Sequence, residues 1–185
     1  STDAIYDPVC GMDVREIPHH YQALHDRKRV LFCSTHCRDR FQKDSKKFAG
    51  TPLITIRDMW KVFTMGDSTT EVLRGLSMHI WEGDFVVIIG PSGSGKSTAL
   101  NMIGLLDRPT SGAYFLHGED VSTLSDDERA RVRSNTFGFV FQQYNLIPWL
   151  TAYENAVLPL TFSKKKKSRK GFRHLFAEVG MGKRL

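Results

Sequence analysis

The sequence predicts an α/β layer region preceded by a small α+β module, and three observations carry that prediction. An all-apolar run, Phe85-Val86-Val87-Ile88-Ile89, leads directly into a glycine-rich loop and then a helix-compatible segment, the strand-loop-helix order of a layered fold. Composition changes at the turn-forming joint Ala49-Gly50-Thr51-Pro52: the chain is polar, charged and rich in histidine before it, and alternates apolar strands with helical stretches after it. All three cysteines, Cys10, Cys33 and Cys37, fall before the joint. The expected domains are residues 1–50 and 51–185.

Composition narrows the classes further. The chain has 185 residues, 41% hydrophobic and 25% charged, which excludes wholesale disorder and fibrous structure. Three cysteines are too few for a disulfide scaffold. The Phe85–Ile89 run is far short of the roughly 20 apolar residues that span a bilayer, and no basic-then-apolar leader opens the chain. A soluble protein of a reducing compartment is expected, and a membrane partner is compatible with it, because a peripheral subunit needs no span of its own. The net charge of +6 is local: residues 164–185 hold nine Lys/Arg against the single acid Glu178. No stacking aromatics or reader motif accompany those cations, so nucleic acid is not an expected partner. Phe172, Leu175, Phe176 and Val179 recur at helical spacing. The lysine block therefore opens an amphipathic helix whose basic face is solvated or meets acidic lipid headgroups.

In the module, the cysteines are spaced C-x22-C-x3-C. Val30-Leu31-Phe32 reads as a strand leading into Cys33. Ser34 or Thr35 caps a helix that carries Cys37, with Phe41 and Phe48 roughly on the same face. Two thiolates on neighbouring turns close on one soft ion, and a bound metal stabilises a module too small for a large core. Asp7-Pro8-Val9-Cys10-Gly11-Met12, and Phe32-Cys33-Ser34 followed by Cys37 and Phe41, resemble the YHS family of TRASH-like metal-binding modules over residues 5–48. That resemblance implies a soft or borderline transition metal, Cu or Zn, held by Cys10, Cys33 and Cys37. His20, His36 and Met12 are the alternatives for a fourth ligand, and three thiolates alone can hold Cu(I).

In the larger region, Gly90-Pro91-Ser92-Gly93-Ser94-Gly95-Lys96-Ser97 fits G-x-x-x-x-G-K-[ST]. Phe85–Ile89 suits a buried parallel strand, and Lys96–Leu106 suits a helix with Leu100 and Ile103 on one side. Glycines let backbone N–H groups turn inward on an anion, and the helix dipole adds positive charge there. Lys96 then reaches the β- and γ-phosphates, and the Ser97 hydroxyl ligates Mg²⁺. Ser92, Gly93, Ser94, Gly95 and Thr98 complete the loop. Ser125-x-x-Glu128 reads as a capping box.

The flanks narrow the class. Val72 to Met78, Glu82 to Phe85, Gly104 to Gly112, Phe137 to Gln142, and Asn145 to Ala156 resemble the ATP-binding subunit of an ABC transporter, most closely the lipoprotein-release, macrolide-export and cell-division group. The resemblance implies an adenine-stacking aromatic at Phe63 (Trp60 is a weaker alternative), with Gln142 touching Mg²⁺ and the attacking water. It makes Tyr144 to Thr151 the docking surface for a permease helix. It also implies a homodimer of nucleotide-binding subunits on the cytoplasmic face of the membrane, exporting a substrate at the expense of ATP. The family's signature loop, Walker B carboxylates and switch histidine have no counterpart here; Asp126, Asp127 and His174 do not replace them. The expectation is a fragment of a longer ATPase, inactive alone and with an unpaired sheet edge. The alternative is a metal-binding sensor or chaperone with a degenerate, non-hydrolysing nucleotide site.

Overall fold

The computed structural model describes residues 5–15, 17, 20–161 and 169–182. Lys164–Lys167, Lys183 and Arg184 of the basic tail lie outside the described residues. The chain forms two compact units, Ser1–Asp126 and Asp127–Leu185.

The first unit opens with a knuckle. Tyr6 bridges Asp13, and the Gly11 amide donates to the Asp7 carbonyl, which folds Pro8-Val9-Cys10 into a tight turn. A hairpin follows, β1 (Tyr21–His25) against β2 (Lys28–Phe32), turning at Asp26 and Arg27. Both turn residues have positive φ, as the right-handed twist of a two-residue hairpin requires. Helix α1 (Thr35–Lys43) starts at Ser34, whose hydroxyl accepts from the Cys37 amide, so Ser34 is the cap of the two expected. Cys37 and Phe41 face inward, and Phe48 follows in a 3₁₀ turn. Phe32, Phe41 and Phe48 pack ring against ring at 5.3 and 6.3 Å, and Trp81 closes the cluster edge-on to Phe48 at 5.2 Å.

Trp81 comes from beyond the composition joint. The first unit continues with an antiparallel sheet of order β4-β3-β5-β6, built from β3 (Ile54–Met65), β4 (Ser68–Ile80), β5 (Ser111–Leu116) and β6 (Glu119–Asp120). The knuckle sits on the end of β4: the His79 amide donates to the Cys10 carbonyl at 2.6 Å, and the Trp81 indole donates to the Val9 carbonyl at 2.9 Å. Gly11 touches β4 so closely that a Cβ would lie 2.6–2.7 Å from His79 and Met78. Its positive φ of 77° also calls for glycine. Asp84 accepts from Lys47 at 2.8 Å, Arg40 at 3.2 Å and the Trp81 amide.

The sheet differs from expectation at one point. Phe85–Ile89 belongs to no strand and has no ladder partner among the described residues, and Phe85 and Ile89 are 93% and 86% exposed. A parallel strand takes its hydrogen bonds from strands distant in the chain, and none stands beside this one. The β3/β4 hairpin needs only a local turn and forms fully. Helix α2 (Lys96–Ile103) ends three residues earlier than predicted and buries Ala99 and Met102, leaving Leu100 exposed. The helix is fixed by the buried Tyr114 on β5, whose hydroxyl donates to the Ile103 carbonyl at 2.6 Å. That contact turns the Ala99/Met102 side, not the Leu100 side, toward the interior.

Helix α3 (Asp126–Thr136) begins directly after Ser125, where the capping box predicts it. In the second unit, Phe137–Phe141 has no ladder partner among the described residues, and its alternate rings stack at 6.3 and 5.7 Å. Helix α4 (Ala152–Thr161) carries an unexpected capping box: Glu154 accepts from the Thr151 amide and hydroxyl, and the Thr151 hydroxyl accepts from the Glu154 amide. The Asn155 side chain ties α4 back to Ile147, Leu150 and Thr151. The expected amphipathic helix forms as α5 (Arg169–Glu178), with Phe172 buried against Tyr153 at 5.7 Å.

Candidate functional site

The glycine loop follows the bare segment and ends at the N-terminus of α2. Gly93 and Gly95 have φ of 79° and 85°, a region open to glycine at little cost. At Gly95 a Cβ would also stand 2.8 Å from the Val72 carbonyl on β4. No side chain caps α2, so its first amides keep their capacity for an anion. Lys96 folds over the loop and donates to the Gly90 and Pro91 carbonyls at 3.0 and 2.6 Å. The loop borders an open cavity of ≈ 260 Å³ lined by Val72, Ser92, Gly93, Gly95, Lys96, Ser97 and Thr98. Ser94 is not part of that lining, and its hydroxyl lies near Gly90 instead.

Phe63 lies on β3, in register with Thr70, two residues before the cavity-lining Val72. Its ring is 41% exposed, enough to offer a face. Lys61 sits over that ring, 4.8 Å from its centroid, held by Asp107 at 2.9 Å and the Arg108 carbonyl at 2.8 Å. Sequence reasoning missed Lys61; its i,i+2 spacing from Phe63 on a strand was the available signal. Trp60 is occupied elsewhere, donating to Asp58 at 3.0 Å. Gln142 is carried by the second unit and is exposed there.

The cysteines converge. Cys10 and Cys33 approach at 3.5 Å between sulfurs, and Cys33 and Cys37 at 3.6 Å. The fourth member of the group is Asp7, with donor atoms of all four residues within 4.8 Å of one another. Neither of the two histidines suggested as a fourth ligand joins it. His36 points outward from the first turn of α1, Met12 is 47% exposed, and His20 keeps a buried, unpartnered Nδ1 outside the group. Asp7 is wholly buried and accepts from the Val9 and Cys33 amides at 2.8 Å and the Cys10 amide at 3.4 Å. The signal for it was an Asp opening a tight turn, where such side chains accept from the amide two residues on. The hydrogen bond from Cys10 draws the Cys37 thiol down to about 7, while the same contact pushes the Cys10 thiol up. Burial lifts Cys33 to about 11. Three sulfurs beside one carboxylate form a donor set that fits a soft or borderline cation.

Comparison with known proteins bears on the region that carries the glycine loop. A family model described as ABC transporter matches residues 73–184. The chain is 48% identical over 130 residues to an uncharacterized ABC transporter ATP-binding protein of Thermotoga maritima, covering 69% of this chain and 56% of that one. It is 50% identical over 139 residues to the macrolide export ATP-binding/permease protein MacB of Brucella abortus, covering 74% of this chain and 22% of MacB. Among solved structures it is similar to the dimeric bacterial ABC transporter cassette MJ0796, with a TM-score of 0.61 at 45% identity over 66% of this chain and 54% of that one. A post-hydrolysis state of that cassette bound to ADP and Pi matches with the same score and coverage at 44% identity. The chain thus spans about half the length of the Thermotoga relative and about a fifth of MacB.

Proposed function

The chain belongs to the ABC transporter family, and from that premise we propose that it is an ATP-binding part of an exporter resembling MacB. The observation that carries this reading is the ≈ 260 Å³ cavity at the uncapped N-terminus of α2, lined by Lys96, Ser97 and the loop glycines. Loop amides and the Lys96 ammonium would hold the β- and γ-phosphates, with Lys96 exchanging its present carbonyl partners for phosphate oxygens. Phe63 would stack on adenine, and Lys61 beside it would stiffen the ring and add positive charge. Ser97 would ligate Mg²⁺, and the family resemblance alone assigns Gln142 to the same ion; when bound, that ion would supply charge neutralisation on the phosphates. Gln142 would also orient the attacking water.

In the whole protein, ATP binding would pair two such subunits and move permease helices, and hydrolysis would reset them. The pairing is suggested by the cassette solved as a dimer, and the permease by the name of MacB. No helix among the described residues is long and apolar enough to cross a membrane. A place on the cytoplasmic face of the membrane, beside permease helices, is part of the proposal and is suggested by the likeness to MacB. Titration with a non-hydrolysable ATP analogue tests it: Lys96→Ala should lower affinity at least about tenfold, the scale of one lost hydrogen bond to a charged group. An unchanged affinity would remove the assignment of Lys96.

A second reading rests on the approach of three sulfurs within 3.5 and 3.6 Å. Residues 5–48 would bind one transition metal, Cu or Zn, through Cys10, Cys33 and Cys37, whether the chain acts as a transporter subunit or as a metal sensor with a silent nucleotide site. Cys33→Ser should reduce metal content measured by elemental analysis, and an unchanged content would discard this reading.

A further inference from the structure

We propose that Asp7 is the charge-setting residue of the thiol site, biasing it toward a divalent over a monovalent cation. The proposal rests on the metal reading of Cys10, Cys33 and Cys37 and extends it from the sulfurs to the one charged group buried with them. Asp7 meets only donors: Oδ1 accepts from the Val9 and Cys10 amides, and Oδ2 accepts from the Cys33 amide. Three donors and no acceptor are the partner set of a carboxylate anion. Those amides belong to the two segments that deliver the cysteines, the knuckle at Cys10 and the β2–α1 junction at Cys33. One side chain therefore ties together stretches of chain 26 residues apart in sequence and holds the first two sulfurs 3.5 Å from each other.

The same carboxylate brings a fixed negative charge into a group whose donor atoms all lie within 4.8 Å. Asp7 is fully buried, so that charge is poorly screened. Coulomb attraction to a cation at a fixed position scales with the cation's charge. Removing the Asp7 charge must therefore weaken a divalent ion by the square of the factor by which it weakens a monovalent one. Loss of positioning alone has a different signature. The cost of bringing the two cysteine segments together is paid in chain entropy and does not depend on the ion, so both ions would weaken by one common factor.

Asp7→Asn in the full chain separates the two effects, with Co²⁺ and Cu⁺ as probes in competition with chromophoric chelators. The expected result is a loss of about tenfold for Cu⁺ and about a hundredfold for Co²⁺, with the sulfur-to-cobalt charge-transfer band still present at reduced occupancy. Equal losses for the two ions, or none, overturn the proposal while leaving the metal reading intact. Absence of both ions from the unaltered chain overturns the metal reading itself. Trp81 fluorescence, read with Trp60 and Trp149 replaced by Phe, reports whether the variant keeps its knuckle, because the indole donates to the Val9 carbonyl. If Asp7→Asn does not fold, Asp7→Glu decides: with its charge kept, it should hold the Co²⁺-to-Cu⁺ affinity ratio within about threefold of the unaltered chain, and a larger fall overturns the proposal.

Discussion

Residues 5–48 close on themselves under Trp81, with sulfurs, aromatic rings and a buried carboxylate all held from several directions, while the glycine loop rises from a segment whose ends are 93% and 86% exposed. Both lie in the same unit. Both are short stretches whose ligand chemistry is written in a few residues. They differ in where their support comes from. The thiol site is braced by a local hairpin, a capped helix and the end of β4, each reached through a short connection or a direct contact. The glycine loop needs a parallel strand beneath it, and a parallel strand must be hydrogen-bonded by chain from far away. The loop itself is still formed, because φ at Gly93 and Gly95, the contact of Gly95 with Val72 and the folded-back Lys96 are local matters. Site geometry and site support are thus separable, and the two regions separate them in opposite ways.

That contrast can be broken or sharpened by experiment. The largest effect is expected at the module core: Phe32→Ala should cost about 3–5 kcal/mol, against about 0.5 kcal/mol or less for the exposed Phe85→Ala, in denaturant melts followed by Trp81 fluorescence. Equal costs would erase the distinction. Next comes Gly95→Ala, which places a Cβ against the Val72 carbonyl at a φ of 85°. It should cost about 1–3 kcal/mol and weaken ATP-analogue binding, with metal content unchanged. Thr151→Ala, which removes the reciprocal cap of α4, should cost about 1 kcal/mol. The unfolding of the second unit, read by hydrogen exchange on α4, would register that loss, and binding at the glycine loop would not.

The smallest effect is a pH dependence confined to the module side, measured on metal-free protein. Burial holds the His79 imidazole below its usual range, so the folded chain keeps it neutral while the unfolded chain protonates it. Its contribution is complete above about pH 6.5 and is lost as pH falls through that value toward the folded one. Burial alone would raise Asp84, but Lys47, the Trp81 amide and Arg40 outweigh it and hold its carboxyl below the usual range. Its contribution is present above about pH 4 and disappears below it. Melting temperature should fall modestly between about pH 7 and pH 5, and His79→Gln should flatten that part of the curve. A wild-type melt that is level over the same interval would contradict the assignment to His79.

Much of both sites was legible because their signals are local. The G-x-x-x-x-G-K-[ST] spacing pointed to the loop whose Ser92, Gly93, Gly95, Lys96 and Ser97 line the cavity, but it gave no sign of Val72, which reaches the cavity from β4. The cysteine spacing, the Ser34 cap and the face shared by Cys37 and Phe41 came from period and chemistry alone. Asp7 was visible as a residue of the turn but not as a partner of Cys33, because the bond between them crosses 26 residues. Trp81 gave no signal at all, since its place in the module core depends on β4 ending beside the knuckle. The expected strand at Phe85–Ile89 failed for the same reason in reverse: an apolar run records a tendency to be covered, not the identity of what covers it.

What the sequence determined by itself was therefore the chemistry of each site and the local turns that shape it: where glycine must bend the loop, which lysine faces it, which thiols come together and which helix presents them. The tertiary structure alone decided which carboxylate joins the sulfurs, which tryptophan seals them and which apolar segment has no strand partner among the described residues. Dihedral preference and side-chain chemistry act over a few residues, so they can be read along the chain. Packing and strand pairing depend on groups that are neighbours only after the chain has folded.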